Sequence, residues 1–92
     1  MIAITRYRVP DADDFLTRIG PVLTALEASP GFRYGRLGRN ADEPDLWALI
    51  TEWDGAGFYR RALGAWDVRL AFIPLSTLAI DEAGAYEVVK PG

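Results

Sequence analysis

The chain has 92 residues, half of them apolar and a quarter charged, with a formal charge of −3 and neither cysteine nor histidine. That length suits one globular domain spanning residues 1–92 and leaves nothing for a second. The missing residue types exclude disulfides, thiolate zinc sites, Ser-His-Asp and Cys-His nucleophile systems and imidazole ligation of haem, and the acidic balance argues against a nucleic-acid partner.

Alternation predicts a first strand over Met1 to Val9, with Ile2, Ile4, Arg6 and Arg8 on one face and Ala3, Thr5, Tyr7 and Val9 on the other. Pro10 ends it. Asp11, Asp13 and Asp14 place acid at a helix start, where the dipole favours it; this explains the cluster better than a hard-metal site does, and no metal is expected. Phe15, Ile19, Val22, Leu23 and Leu26 then form one apolar stripe, with a bend expected near Gly20 because Pro21 lies inside the pattern. Ser29-Pro30-Gly31 is a stop signal.

A second strand is predicted from Phe32 to Asn40, a polar turn from Ala41 to Asp45, and a third strand from Leu46 to Trp53, the last two strands forming a hairpin. Asp54 is placed to cap a second helix whose buried face is Tyr59, Ala62, Leu63 and Trp66. Asp67 to Ile80 reads as a short helix broken by Pro74 and followed by an apolar connection, and Ala85 to Val89 as the last strand. The order βαββαβ implies an α+β, ferredoxin-like domain with two helices on one face of a four-stranded antiparallel sheet. Apolar residues fall on both faces of its strands, which points to a homodimer through the uncovered sheet face, with Arg6, Arg8 and Glu52 pairing across the interface. No apolar run reaches the ~18 residues of a membrane span, and no leader-like N-terminus is present, so a cytoplasmic protein without a membrane partner is expected.

Candidate chemistry concentrates between Phe58 and Phe72. Tyr59 and Trp66 lie seven residues apart, two turns of an unbroken helix, and Arg69 follows Trp66 by three. With Phe72 they would wall an opening between helix and sheet that suits a flat aromatic molecule, Arg69 holding an anionic oxygen. From spacing alone the simpler account is that Tyr59 and Trp66 are ordinary core and Arg69 extends to solvent. No glycine-rich nucleotide loop is present, Lys90 is the only lysine, and no cofactor is expected.

Ser29-Pro30-Gly31-Phe32 leading into a strand, the acidic Pro-containing turn, and Leu49-Ile50-Thr51-Glu52-Trp53 running into a helix with Phe58-Tyr59 together resemble the antibiotic biosynthesis monooxygenase-like (ABM) domains. The resemblance implies a dimeric α+β barrel. It also implies a cofactor-independent monooxygenase acting on a small aromatic, polyketide or quinol-type substrate. The alternatives are a non-catalytic dimeric ligand-binding domain, or a polyketide or lactone isomerase or cyclase of the same fold. Catalytic members of the family tend to carry an Asn on the first strand, a Trp in the second helix and, in haem degraders, a His shortly after. The corresponding positions here are Thr5, Ala62 and Ala71 or Phe72, so Thr5 joins the candidate substrate-binding residues and haem degradation is not expected.

Overall fold

Side-chain alternation in the first strand decides where the rest of the chain packs. In the computed structural model, which describes residues 1–92, β1 (Ile2–Arg8) buries Ala3 and Tyr7 and leaves Ile4 half-buried on the opposite face. Asp11 caps α1 (Ala12–Glu27), its carboxylate accepting the Asp14 N–H at 3.1 Å. Phe15, Ile19, Val22 and Leu26 form the buried stripe of this helix. The bend expected near Gly20 is not formed: α1 runs unbroken through Pro21. Pro21 lies on the exposed side, and burial of Ile19 and Val22 around it outweighs the loss of one backbone hydrogen bond.

A turn at Gly31, the one residue with positive φ (83°), leads into β2 (Phe32–Arg39). A Cβ at Gly31 would fall on the Phe58 ring, so the turn needs glycine for both its dihedral and its close approach. The Asn40 side chain accepts from the Asp42 and Glu43 amides at 2.9 and 2.8 Å, fixing the reversal into β3 (Leu46–Trp53).

The helix α2 (Ala56–Gly64) starts at Gly55 with no side-chain cap; Asp54, expected to cap it, faces the Arg33 guanidinium at 3.7 Å. After Ala65, α3 (Trp66–Phe72) continues into a 3₁₀ turn (Ile73–Leu75) that accommodates Pro74. The last strand, β4, is only Ala85–Tyr86 rather than Ala85 to Val89. With Tyr86 opposite Ile2 and Ala85 opposite Ala3, Glu87 to Val89 run past the Ile2 end of β1 and have no strand to pair with. The irregular segment before β4 covers the rest of that edge. Arg8 N–H donates to the Leu78 carbonyl at 3.0 Å, Ile80 N–H to Arg6 at 2.8 Å, and Ile4 N–H to Gly84 at 2.6 Å.

The sheet order is β2-β3-β1-β4, all antiparallel, which is the ferredoxin-like arrangement. β2 and β4 are its edges and do not pair with each other, so the sheet is open. This corrects the dimeric α+β barrel that the family resemblance implied: closure requires continuous pairing around the ring, and here one edge strand offers only two residues.

In the β1–β3 register Ile4 faces Ile50, Thr5 faces Leu49 and Tyr7 faces Trp47. Tyr7, Val9, Trp47, Leu49 and Trp53 are buried in one core with α1, α2 and α3. Tyr7, Phe15 and Trp47 form an aromatic chain with centroids 5.3 and 5.4 Å apart, and Trp53 lies between Phe32 and Tyr59 at 5.4 and 5.6 Å.

The opposite face carries Ile2, Ile4, Ala48 and Ile50, with Tyr34 and Tyr86 exposed beside them. Two of its arginines, Arg6 and Arg8, are ion-paired within the chain rather than held free for a partner, while Arg36 lies over the Tyr34 ring at 5.9 Å. Arg6 makes a bidentate contact with Glu82, both N–O distances 2.6 Å, and Arg8 reaches Asp45 at 3.3 Å. The hydrogen bond to Arg6 holds the Glu82 carboxyl below its ordinary range, and Arg6 is raised in turn. No helix is long and apolar enough to cross a membrane.

Candidate functional site

The break at Ala65 shapes the site. Ala65 is extended (ψ 139°), so α3 sets off in a new direction and leans with the 3₁₀ turn over the inner face of β1 without filling it. Thr5 and Ala79, small beside Tyr7, leave an inner cavity of about 300 Å³. Its walls are Thr5, Tyr7, Tyr59, Leu63, Phe72, Leu75, Ser76 and Ala79. An outer cleft of about 340 Å³ lies between Leu63, Trp66, Arg69, Leu70, Phe72, Ile73 and Ser76. Leu63, Phe72 and Ser76 belong to both, so the two spaces adjoin.

All five sequence-derived candidates line this pair of spaces, in a different arrangement from the one expected. Thr5 and Tyr59 are in the inner cavity, Trp66 and Arg69 in the outer cleft, and Phe72 in both. Trp66 is not on the buried face of α2: it opens α3 and is 71% exposed. The seven-residue spacing from Tyr59 would align the two rings only on a continuous helix, and Ala65 interrupts it.

Five wall residues of the inner cavity were not among the candidates: Tyr7, Leu63, Leu75, Ser76 and Ala79. For Tyr7 the signal was present. It sits two residues from Thr5 on the same face of β1, and it is the one aromatic in an inward row otherwise made of Ala3, Thr5 and Val9. Ala79 is brought in by a single bridge to Tyr7, which no periodicity announces.

The inner cavity is neutral. Neither a carboxylate nor a cation is among its wall residues, and Arg69 supplies the one charge of the outer cleft. Tyr7 is 1% exposed and its Oη has no hydrogen-bond partner. A buried hydroxyl left in this state costs about 1–3 kcal/mol. Burial, and secondarily the neighbouring Tyr59, push the Tyr7 phenol up to about 12, and burial raises Tyr59 as well. Both phenols therefore stay protonated at neutral pH.

No cluster of three or more acidic side chains could hold a metal; Asp11 is committed to the α1 cap and Asp14 to Arg18 at 2.9 Å. Of the positions where the ABM resemblance implies Asn, Trp and His, Thr5 lines the inner cavity, Ala62 is buried in the core, and Ala71 packs against that core while Phe72 faces the cavities.

Neither a family model nor a curated protein matches the sequence. Solved structures do match the fold. A single-residue variant of SnoaB, a cofactor-independent oxygenase from Streptomyces nogalater, superposes with a TM-score of 0.87 at 22% identity, covering 98% of this chain and 93% of that one. A protein from Nitrosomonas europaea, provisionally named an antibiotic biosynthesis monooxygenase, gives 0.76 at 13% identity over 97% and 98% of the chains. A conserved protein from Methanosarcina mazei gives 0.76 at 13% over 91% and 84%. At these identities the likeness is one of fold: an α+β domain of the kind used by a cofactor-independent oxygenase, its sheet open.

Proposed function

We propose that this protein binds a small, flat aromatic molecule in the cavity between helices and sheet and acts as a cofactor-independent oxygenase on it. The observation that carries the reading is the neutral, apolar inner cavity joined to an outer cleft with an arginine and an exposed tryptophan, set in a fold shared with such an oxygenase. Fold alone does not give activity; the cavity is what makes this fold relevant.

An anthrone loses a proton from its ring CH2, and the resulting carbanion transfers its electrons to O2 directly. The ring CH2 becomes C=O with one oxygen atom, and the second leaves as water, so no further reductant enters. The chain's task is to exclude water, orient the ring and stabilise the anion. Leu63, Phe72 and Leu75 exclude water, Tyr59 and Trp66 present ring faces, and Arg69 attracts an anionic oxygen at the outer rim. Incubating the protein with a panel of quinols and anthrones in air and under anaerobic conditions tests this. Oxygen uptake matched to ketone formation, absent without protein, is the expected result; substrate binding without oxygen uptake would instead establish a ligand-binding domain. That second reading is favoured by one observation, the lack of any carboxylate in the cavity walls to serve as base.

We further propose that the protein works as a homodimer through the sheet face that the helices leave uncovered. Ile4 and Ile50 face each other across the β1–β3 ladder there, and Tyr34 and Tyr86 stand exposed on either side. Intrachain pairing of Arg6 and Arg8 leaves this face less charged than its composition implies, which eases its burial against a second copy.

A further inference from the structure

We infer that the ligand of this site is an amphipathic anion: a fused-ring apolar body held in the inner cavity, and a carboxylate carried on a short spacer that reaches Arg69 in the outer cleft.

Arg69 is set apart by what it lacks. Of the nine arginines, Arg6, Arg8, Arg18 and Arg33 each face a carboxylate, and Arg36, Arg39 and Arg61 lie over aromatic rings. Only Arg60 and Arg69 have neither kind of partner. Arg60 borders a separate space with Met1 and Tyr86. Arg69 is the sole charged wall residue of the inner cavity and outer cleft together. Four of the nine large apolar side chains exposed in the protein, Leu63, Trp66, Leu70 and Ile73, line that same cleft. A cation without a counter-ion, set among exposed apolar side chains, is complementary to an anion that carries apolar mass.

Volume and charge then fix how such a molecule lies. An apolar cavity of about 150 Å³ holds one benzene ring, so the inner space of about 300 Å³ takes two fused rings and little more. It has no cation, and a carboxylate attached directly to the ring would be desolvated there without compensation. Whatever follows the rings passes the border of Leu63, Phe72 and Ser76, which both spaces share. Ser76 offers no donor at that border, because its hydroxyl donates to the Ile73 carbonyl at 2.8 Å. The first available counter-charge is Arg69, so ring and anion must be held apart by a spacer. This rests on the reading of the cavity as the ligand site and not on oxygenase activity.

The test uses isothermal titration calorimetry with three probes that share a naphthalene body: 4-(2-naphthyl)butyrate, its neutral amide, and 2-naphthoate, which has no spacer. They are titrated into the wild-type protein, Arg69→Gln and Arg60→Gln. Both arginines are exposed, so glutamine removes a charge without touching the core. Wild-type protein should bind the butyrate about three- to tenfold more tightly than the amide, the gain expected of a charge-assisted contact at an exposed rim, and 2-naphthoate less tightly than the butyrate. In Arg69→Gln the ratio of butyrate to amide should fall to near one while the affinity for the amide is unchanged; in Arg60→Gln the ratio should stay at its wild-type value. A ratio unaltered by Arg69→Gln, or lowered equally by Arg60→Gln, would overturn the assignment of the anion to Arg69. Binding of 2-naphthoate as tight as that of the butyrate would overturn the spacer. Failure of the neutral amide to bind at all would overturn the cavity reading itself, whereas the predicted ratios without oxygen uptake from quinols keep this inference and remove only the oxygenase.

Discussion

Replacing Trp53 with alanine is expected to lower the unfolding free energy by about 3–5 kcal/mol, while the same change at Trp66 should move it by no more than about 0.5 kcal/mol. Trp53 is 1% exposed and lies between Phe32 and Tyr59. Its indole N–H donates to Thr51 Oγ1 at 2.9 Å, so truncation opens a cavity and also strips a buried hydroxyl of its partner. A domain of this size has a total stability of roughly 5–10 kcal/mol, so the variant should be near the limit of folding. Trp66, by contrast, opens α3 with its ring largely in water and has little burial to lose. Urea denaturation followed by far-UV circular dichroism measures both, and comparable losses in the two variants would contradict the placement of Trp66 outside the core.

In sedimentation or light scattering at micromolar concentration, the protein is expected to show twice the mass of a single chain, and Ile50→Lys is expected to restore the single-chain mass. Ile50 lies near the middle of the open sheet face, paired with Ile4 on one side and Arg36 on the other. A lysine there would be an unpaired charge in a desolvated interface, costing several kcal/mol on association. In the separated chain the same side chain would reach water, so the fold should survive. The interface should exceed ~1,000 Å² if the dimer is stable. Wild-type protein at the single-chain mass would refute the dimer, and an unchanged double mass in Ile50→Lys would place the contact on another surface.

Much of this architecture is written in local pattern. The two faces of β1 and β3 follow from strict alternation, because burial of Tyr7, Leu49 and Trp53 leaves no other register. The stripe on α1 and its Asp11 cap are equally local. What escaped was decided by tertiary context. Pro21 is tolerated because the helix is clamped on both sides of it. The shortening of β4 follows from its register, which puts Tyr86 opposite Ile2 at the end of β1 and leaves Glu87 to Val89 without a partner, a fact that a residue-by-residue reading of Ala85 to Val89 does not contain. The open sheet belongs to the same class of fact, since closure depends on which edges meet.

The site shows the same division. Residue types between Phe58 and Phe72 singled out Tyr59, Trp66, Arg69 and Phe72, the family resemblance added Thr5, and all five line the two spaces. Their relation to one another depended on a single extended residue, Ala65, which moved Trp66 from an inner wall to the outer rim. Leu75, Ser76 and Ala79 became walls only because the 3₁₀ turn folds back over β1.

The most direct test of the central claim, that the cavity between helices and sheet is the ligand site, is a heteronuclear NMR titration of the isotope-labelled protein with 1-tetralone. Saturable chemical-shift changes should concentrate at Leu63, Phe72, Leu75, Ser76 and Ala79, while Ile4, Ala48 and Ile50 on the opposite sheet face stay unmoved. Shifts confined to that opposite face, or none at saturating ligand, would contradict the account.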